Sequence, residues 1–345
     1  MSGLNVLVAG DHFIRPRAVS GALREALGDH IAVTELVGPW PIEPFGTVAE
    51  VSEASGDEDE LISNLPGVEI AITQMAPFTA RVLAGAPDLR LLVVTRGGPV
   101  NVNLEEAAAR GIAVSCTPGR NAPAAAELAV ALTLAVLRRL KDVHATMAAG
   151  EWRSDLYAYD RCGGELDGTE VGIVGFGAIG RRVAAVFDAL GARVLVADPF
   201  ADSVPEGMTL VGPAELLDRS QVVSLHARLT PETHGMIGGA ELARMPEGAV
   251  LVNTARGALV DTDALTSALK SGHLGGAGLD VYDPEPLPAD HPLRALPNVL
   301  LVPHLAGATR QTADRAIRMA VEEVARWTAG EPLAYGVSGP RRRSR

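Results

Sequence analysis

The chain has 345 residues, of which 47% are hydrophobic and 21% charged, and its formal net charge at pH 7 is −12. This apolar content is enough to fill one or two cores and excludes a mainly disordered chain, and the length predicts about two domains. The acidic balance disfavours a nucleic-acid partner, because a negative surface repels phosphate backbones. The basic residues near the C-terminus, Arg341 to Arg343 and Arg345, are expected to form a solvated tail.

Cysteine usage and the N-terminus predict a reducing, aqueous environment. Cys116 and Cys162 lack CxxC spacing, so neither a disulfide framework nor a cysteine zinc site is expected. None of the eight histidines lies in a ligand-spaced cluster, which predicts no metal. The N-terminus has no basic segment of a signal peptide, and the longest apolar run, Leu128 to Leu137, is about half the length of a membrane span. We therefore expect a cytoplasmic protein without membrane contact.

In the first third of the chain, short β-branched runs alternate with helical patterns, which is typical of βα units and a parallel sheet. The predicted elements are strands at Asn5 to Ala9, Glu69 to Thr73 and Leu91 to Thr95, and helices at Arg17 to Leu27, Thr79 to Ala86 and Leu104 to Arg110. The acidic stretch Glu53 to Glu60 is interpreted as a loop or solvated face.

The central and last parts of the chain begin with a predicted long helix that starts at Pro123 and continues to Lys141. An irregular arm, Trp152 to Asp160, follows it. Six strand-like runs come next: Val171 to Gly175, Arg193 to Asp198, Val222 to Ala227, Ala249 to Ala255, Ala277 to Val281 and Asn298 to Pro303. A final helix, Ala313 to Trp327, has no predicted strand after it and is expected to pack on another part of the chain. The pattern predicts an α/β protein with a doubly wound parallel sheet.

A glycine-rich motif stands between the first of these six strands and an amphipathic helix. Gly175, Gly177 and Gly180, with Ala178 and Ile179 between the last two, form a G-x-G-x-x-G pattern. Such glycines permit a tight turn and let a pyrophosphate approach the helix N-terminus. Asp198 ends the next strand, where an acid accepts hydrogen bonds from a ribose diol, and no arginine follows it to receive a 2′-phosphate. The motif therefore predicts NAD rather than NADP.

Three charged residues follow three of the predicted strands. Arg256, Glu285 and His304 each stand just beyond an apolar run. Ligands of open α/β sheets bind at the carboxyl ends of the strands, so the three side chains are expected to converge beside the cofactor. A histidine suits proton donation to a carbonyl oxygen, a neighbouring carboxylate favours its protonated form, and a guanidinium holds a carboxylate. The set predicts reduction of a keto acid.

These segments resemble the D-isomer-specific 2-hydroxyacid dehydrogenase family, whose members include D-3-phosphoglycerate dehydrogenase. The matching segments are Val174 to Gly180, Ser224 to His226 with Leu229 to Thr233, Asn253 to Asp261, Gly278 to Pro286 and Pro303-His304. The resemblance implies a reversible NAD-dependent dehydrogenase of a small D-2-hydroxy acid.

The resemblance also implies a role for individual residues. Arg256 would bind the substrate carboxylate and carbonyl, His304 would be the acid and base, and Glu285 would support His304. Asp198 would hold the adenosine ribose and Asp280 would meet the nicotinamide amide. His226 and Thr254 would line the cofactor cleft, with packing as an alternative role for these two, and Ala255 is a further implied cofactor contact.

The domain organisation implied by the resemblance is an insertion. An NAD-binding Rossmann domain, residues 119–308, would interrupt a smaller flavodoxin-like substrate domain formed by residues 1–118 and 309–345. Family members usually form homodimers, and the segment from Trp152 to Tyr159 resembles an arm that crosses to the partner subunit.

The substrate itself is left open by the sequence. By resemblance, Arg96, Gly97 and Gly98 form a substrate-binding loop and Asn121 lies near the substrate, while Arg96 and Arg120 suggest a phosphorylated, phosphonate or sugar-derived acid. The loop is shorter than its counterpart in phosphoglycerate enzymes, which weakens that assignment. Formate dehydrogenases have glutamine in place of Glu285 and are disfavoured. A phosphite-type dehydrogenase and a non-catalytic NAD-sensing scaffold, similar to the corepressors of this fold, remain alternatives.

Overall fold

The computed structural model describes residues 3–28 and 30–338, so the predicted C-terminal arginine tail lies outside the described residues. Strands in this part of the chain are β1 Leu4–Gly10, β2 Ile31–Val37, β3 Gly46–Val48, β4 Val51–Ala54, β5 Ile70–Thr73, β6 Leu91–Val94, β7 Ala113–Cys116, β8 Glu170–Val174, β9 Arg193–Ala197, β10 Thr209–Leu210, β11 Val222–Leu225, β12 Ala249–Asn253, β13 Leu274–Leu279, β14 Val299–Leu301 and β15 Gly336–Ser338. Helices are α1 Pro16–Leu27, α2 Glu58–Ser63, α3 Ala80–Ala84, α4 Leu104–Ala109, α5 Ala122–Leu137, α6 Leu140–Ala148, α7 Gly180–Ala189, α8 Pro213–Arg219, α9 Gly239–Arg244, α10 Thr262–Ser271 and α11 Arg310–Thr328.

The chain forms two compact units. Unit 1 comprises the chain up to Arg120 together with the part from Ala308 onward, and unit 2 comprises Asn121–Gly307. Each unit contains its own parallel sheet with helices packed against it, so the predicted α/β class with a doubly wound sheet is confirmed.

The sheet of unit 1 has the order β15-β7-β6-β5-β1-β2, and all its strands except β15 are parallel. Alternate residues of β1 enter different cores: Leu7 packs with one cluster on one face, and Val8 packs with α11 residues such as Ala320 on the other. The last helix therefore covers the sheet of unit 1. Since β1 lies between β5 and β2 and is buried on both faces, the position of its carboxyl end is fixed.

A short strand follows α11, which corrects the expectation that no strand comes after the final helix. Strand β15 pairs antiparallel with β7. The Glu323 carboxylate, buried on α11, accepts hydrogen bonds from the backbone N–H groups of Ala334 and Tyr335. These hydrogen bonds direct the chain back toward β7. Hydrophobic periodicity does not predict β15, because the strand depends on these bonds to a distant carboxylate.

The sheet of unit 2 has the order β10-β9-β8-β11-β12-β13-β14, and all its pairings are parallel. From β8, successive strands are added toward one side of the sheet as far as β10, and from β11 onward they are added on the other side. The boundary between β8 and β11 is the switch point at which doubly wound folds bind ligands. Helix α7 packs through Val183 and Phe187 on one face, in the cluster that also holds Ile173 of β8. This packing fixes the start of α7 above the carboxyl end of β8.

The structure refines one prediction of local structure and contradicts another. The acidic stretch Glu53 to Glu60 is a solvated face in part, since Asp57, Asp59 and Glu60 are exposed. It is not a continuous loop, because Asp57 accepts a hydrogen bond from the Glu60 N–H and caps α2, whose acidic first turn suits a helix N-terminus. The long helix ends at Leu137 rather than Lys141. The carbonyl of Leu137 accepts from Gly164 N, and Arg139 has φ 52° before α6 begins.

Across the described residues, we find no helix whose length and apolar character would allow it to span a bilayer.

Candidate active site

The turn after β8 has the geometry of a phosphate-binding turn. Gly175 has φ 94°, and a Cβ on it would lie 2.6 Å from the backbone N of Ala227. Gly180 begins α7, and a Cβ there would overlap the Gly175 carbonyl oxygen. Gly177 is exposed, and a Cβ on it would meet no atom within 4 Å. Packing therefore requires two of the glycines, while the third leaves the turn open to a ligand.

Asp198, at the end of β9, holds this turn in place. Its Oδ2 accepts from Phe176 N at 2.5 Å and its Oδ1 accepts from Phe200 N at 2.8 Å. A carboxylate has about four acceptor positions, so two remain for the hydroxyls of a ribose. Ala178 is exposed, Ile179 is half-buried, and the first turn of α7 carries no acidic residue. The residues present therefore fit the pyrophosphate and ribose of a dinucleotide.

The loops after β11 and β12 contain three of the predicted cofactor residues. The imidazole Nε2 of His226 lies 2.9 Å from Ser224 Oγ, and burial lowers its pKa to about 4, so the ring is neutral. Thr254 is buried, and within the described residues its Oγ1 has no hydrogen-bond partner. The N–H of Ala255 donates to Asn253 Oδ1 at 3.0 Å, which fixes the loop before Arg256.

The structure brings Glu285 and His304 into direct contact. His304 Nδ1 lies 2.8 Å from Glu285 Oε2, and both side chains are half-buried. The other carboxylate oxygen of Glu285 accepts from Tyr282 N at 2.8 Å, which fixes the carboxylate. The contact with the carboxylate engages Nδ1 and orients the imidazole ring.

The electrostatic surroundings favour the protonated form of His304. Burial by itself lowers the pKa of His304, but the hydrogen bond and negative charge of Glu285 outweigh that effect, and Asp280 acts in the same direction. The positive charge of Arg256 opposes them. The net result is a His304 pKa raised above its ordinary value, so the imidazolium persists to higher pH.

Asp280 and Tyr282 hold the His304 turn. Asp280 accepts from the N–H groups of Leu305 at 2.6 Å and Ala306 at 2.9 Å, and its own carbonyl accepts from His304 N at 2.8 Å. Tyr282 Oη accepts from Val302 N at 3.0 Å and lies 2.8 Å from Val302 O. Sequence reasoning missed the role of Tyr282, since a tyrosine after a strand gives no sign of where its hydroxyl bonds.

Arg256 lies on the loop after β12, next to the Glu285 loop. Its side chain is exposed, and Nη1 donates to the Ala255 carbonyl at 2.7 Å. Gly257 follows it, and a Cβ on Gly257 would overlap the backbone of Tyr282. This close approach of two loops places Arg256 near enough to His304 to affect its pKa.

The predicted substrate loop lies in unit 1, after β6. Arg96 forms an ion pair with Glu53, and its Nη1 also donates to the Glu53 carbonyl at 3.0 Å. A Cβ on Gly97 or Gly98 would meet nothing within 4 Å, so the loop backbone is accessible. The partnership with Glu53 was not predicted, because no sequence signal links positions 43 residues apart.

Asn121, the remaining predicted substrate residue, lies in unit 2 and directly precedes α5. Its side chain is 3.4 Å from where a Cβ of Gly307 would be, three residues beyond His304. The segment that precedes α5 and the loop that follows β14 are therefore neighbours. Within the described residues, no group of three or more His, Cys, Asp or Glu side chains could hold a metal ion.

Comparison with known proteins identifies the family. A family profile described as "D-isomer specific 2-hydroxyacid dehydrogenase, NAD binding domain" matches residues 130–306. A glyoxylate reductase of Korarchaeum cryptofilum is 40% identical over 295 residues, which cover 85% of this chain and 86% of that protein. The chain belongs to the D-isomer-specific 2-hydroxyacid dehydrogenase family. The predicted family and NAD cofactor are therefore confirmed.

Other members of the 2-hydroxyacid dehydrogenase family extend the likeness. The D-3-phosphoglycerate dehydrogenase of Mycobacterium leprae is 37% identical over 316 residues, but the chain spans only 59% of that relative's length. The TT0316 protein of Thermus thermophilus superimposes with a TM-score of 0.82 at 37% identity, and the match covers 97% of this chain and 100% of that one. The likeness includes both units of the fold.

Proposed function

We propose that this protein is an NAD-dependent D-2-hydroxyacid dehydrogenase that interconverts a small 2-hydroxy acid and its 2-keto acid. The observation that carries the proposal is the contact of Glu285 with His304 and the raised pKa that results, at the carboxyl edge of a dinucleotide-binding sheet. A surface histidine would need no such partner. The relatives of this protein from Korarchaeum cryptofilum and Mycobacterium leprae are named a reductase and a dehydrogenase, in agreement with this chemistry.

In the reductive direction, each residue has a defined task. The Arg256 guanidinium binds the carboxylate of the keto acid and polarises the adjacent carbonyl. NADH, when bound, supplies the hydride that is added to C2. His304 donates a proton from Nε2 to the carbonyl oxygen, and Glu285 stabilises the imidazolium before the transfer and orients the ring throughout. In the oxidative direction, the neutral His304 takes the hydroxyl proton from the 2-hydroxy acid.

The cofactor is held by residues of unit 2. The pyrophosphate is proposed to bind to the glycine-rich turn and to the N–H groups at the start of α7. The residues of this turn are Gly175, Gly177, Ala178, Ile179 and Gly180. Asp198 binds the adenosine ribose. The residues proposed to line the rest of the cofactor site are His226, Thr254, Ala255, Asp280 and His304.

The finer substrate proposal is an acid with a second polar group: phosphate, phosphonate or the hydroxyls of a sugar acid. The accessible loop backbone at Gly97 and Gly98, whose N–H groups can bind an anion, supports it. Two assays identify the substrate. The first measures NADH oxidation in the presence of each member of a panel of 2-keto acids, and the second measures the oxidation of phosphite by NAD.

The test of the mechanism is His304→Ala. Loss of the general acid should lower kcat by about 10²- to 10⁴-fold, a far larger effect than on the calorimetric affinity for NADH, to which His304 contributes only one of several proposed contacts. Wild-type turnover in this variant would refute the assignment of His304. An absence of turnover with every acid and with phosphite, alongside tight NADH binding, would favour a scaffold function.

We also propose a homodimer. Three aromatic side chains of the arm after α6, Trp152, Tyr157 and Tyr159, are 81%, 96% and 92% exposed. Side chains of this size are usually covered, and a second copy of the chain would cover them. Light scattering of the wild type should give the mass of a dimer, and Trp152→Ser with Tyr157→Ser should shift it toward the monomer. A wild-type monomer would refute the proposal.

A further inference from the structure

Tyr282 lies on the loop after β13 and contacts the loops of all three proposed catalytic residues. Its backbone N–H donates to Glu285 Oε1 at 2.8 Å. Its backbone meets the Arg256 loop so closely that a Cβ on Gly257 would overlap the Tyr282 carbonyl. Its hydroxyl is bound to the segment that leads into His304. One residue therefore joins the three loops.

The Tyr282 hydroxyl is bound to both backbone polar groups of Val302, two residues before His304. Its Oη accepts from Val302 N at 3.0 Å and lies 2.8 Å from Val302 O and 2.9 Å from Leu279 O, the two carbonyls to which it can donate. Val302 N also donates to Leu279 O at 2.8 Å, so the hydroxyl stands where the ladder between β13 and β14 ends. The hydroxyl thus fixes the direction in which the chain leaves the sheet.

The surroundings of this hydroxyl keep it protonated. Burial raises the pKa of Tyr282 to about 12, against the effect of the hydrogen bond with Val302. The charges of Asp280 and Glu285 add to the rise, and the charge of Arg294 opposes it. The hydroxyl is therefore neutral at neutral and moderately alkaline pH. Replacement of the tyrosine by phenylalanine consequently removes hydrogen bonds without changing any charge in the site.

His304 has a backbone conformation that needs support. Its φ is 53°, in the left-handed region that residues with a Cβ seldom adopt, and such a conformation persists only where the surrounding structure holds it. His304 N donates to the carbonyls of Asp280 at 2.8 Å and Val302 at 3.1 Å. The Tyr282 hydroxyl holds the second of these two residues. It therefore supports the His304 turn from its N-terminal side.

We propose that Tyr282 is a positioning residue for proton transfer, whose hydroxyl holds His304 in the left-handed turn that brings Nδ1 into contact with Glu285. The proposal rests on the proposed function, since it concerns the acid of that reaction. A phenylalanine would still pack in the core of unit 2 but could not hold Val302. The turn would then relax, and the distance from Nδ1 to Glu285 Oε2, 2.8 Å in the structure, would increase.

The first measurement is the pKa of His304 in Tyr282→Phe, from an NMR titration of the full chain with isotope-labelled histidine and without NAD. The signal that is missing in His304→Gln assigns the resonance. Burial lowers the pKa of this ring, Glu285 and Asp280 raise it, and Arg256 lowers it. Tyr282→Phe changes none of these charges, so a lower pKa reports a longer contact with Glu285. We expect a fall of about 0.5 pH unit or more.

Steady-state kinetics of keto-acid reduction give the second measurement. Because the orientation of His304 affects proton transfer rather than binding of the acid, kcat should fall about tenfold or more while KM changes by less than about threefold. The pH profile should move toward acid together with the NMR value. Tyr335→Phe removes a hydroxyl from an exposed tyrosine of unit 1 and should leave both measurements at wild-type values. Thermal melts establish that each variant is folded.

A double-mutant cycle tests the route by which Tyr282 acts. If the hydroxyl acts through the contact of Glu285 with His304, Tyr282→Phe should lower the His304 pKa much less in a Glu285→Gln background than in the wild type. Equal effects in the two backgrounds would overturn this route, since the hydroxyl would then act on His304 without the carboxylate.

The outcomes separate this inference from the proposed function. A wild-type His304 pKa in folded Tyr282→Phe would overturn the positioning role, and a lower pKa with a wild-type kcat would overturn its importance for proton transfer. If the His304 pKa falls but the wild type reduces no keto acid, the hydroxyl positions His304 and the dehydrogenase proposal fails. If Tyr282→Phe reduces keto acids at the wild-type rate with an unchanged pKa, the dehydrogenase proposal stands and the positioning role fails.

Discussion

His304 Nδ1 and Glu285 Oε2 lie 2.8 Å apart, although the two residues belong to loops after different strands. Each is fixed independently by the backbone: Glu285 accepts from Tyr282 N, and His304 N donates to the Asp280 carbonyl. The pair therefore has its geometry before any substrate binds. Preorganisation of this kind lowers the reorganisation that proton transfer requires.

Glu285→Gln should shift the pH profile of keto-acid reduction toward acid. The carboxylate raises the pKa of His304, and reduction requires the protonated ring, so activity is lost as pH rises through that pKa. Removal of the negative charge lowers the pKa, and we expect kcat/KM to decline about one pH unit or more earlier than in wild type. The measurement is kcat/KM for NADH-dependent reduction across pH. Glu247→Gln, a change at an exposed carboxylate of unit 2, should leave the profile unmoved.

The same pair contributes to stability in a defined pH window. Because the His304 pKa is raised in the folded state, its contribution is fully present below the unfolded value of 6.5 and is lost as pH rises through the folded value. Glu285→Gln should therefore reduce the free energy of unfolding most at acidic pH. A loss that is larger at alkaline pH would contradict the electrostatic origin.

Gly177→Ala should weaken cofactor binding without affecting stability, whereas Gly180→Ala should lower stability. A Cβ at position 177 meets no atom, so the fold should be unchanged while NADH affinity falls, because the added methyl occupies the space next to the turn. A Cβ at position 180 overlaps the Gly175 carbonyl and should lower the melting temperature. The checks are thermal melts without cofactor and calorimetry with NADH. Wild-type NADH affinity in Gly177→Ala would place the pyrophosphate elsewhere.

Gly257→Ala should impair catalysis by separating two loops. The added Cβ would overlap the Tyr282 backbone, so the Arg256 loop must move away from the loop that bears Glu285. We expect kcat/KM to fall by about 10²-fold and stability to fall by about 1–3 kcal/mol. Kinetics and urea unfolding measure the two effects. Gly212→Ala, where a Cβ meets nothing within 4 Å, is the matched control and should resemble wild type.

Asp11→Asn should stabilise the protein above pH 6 and have little effect in acid. Burial raises the pKa of Asp11 to about 6 from 3.8, so the folded state binds the proton more tightly than the unfolded state and stability falls as pH rises between those values. An amide keeps the oxygen that accepts from Phe13 N and Ile14 N but carries no charge. At about pH 8 the gain should reach at most about 3 kcal/mol, measured by urea unfolding. An equal gain at about pH 4 would exclude ionisation as the cause.

The sequence predicted the elements whose signals are local. Gly175 to Gly180 occupy the turn that their spacing indicated, and Arg256, Glu285 and His304 lie on the loops that follow β12, β13 and β14, as expected. Each of these predictions depends on a short motif after a buried strand. A fully buried strand shows in the sequence as a short continuous apolar run, so its end can be identified without the rest of the fold.

Other features arise from contacts between distant positions. The end of α5 at Leu137 depends on a hydrogen bond from Gly164, and β15 depends on the carboxylate of Glu323. The partner of Arg96 is Glu53, whereas no acid within the described residues forms a hydrogen bond with the Arg120 guanidinium. Sequence patterns report which residues prefer a strand, a helix or a turn. Pairing, burial and the resulting pKa values depend on which side chains meet across the fold, and only the tertiary structure decides that.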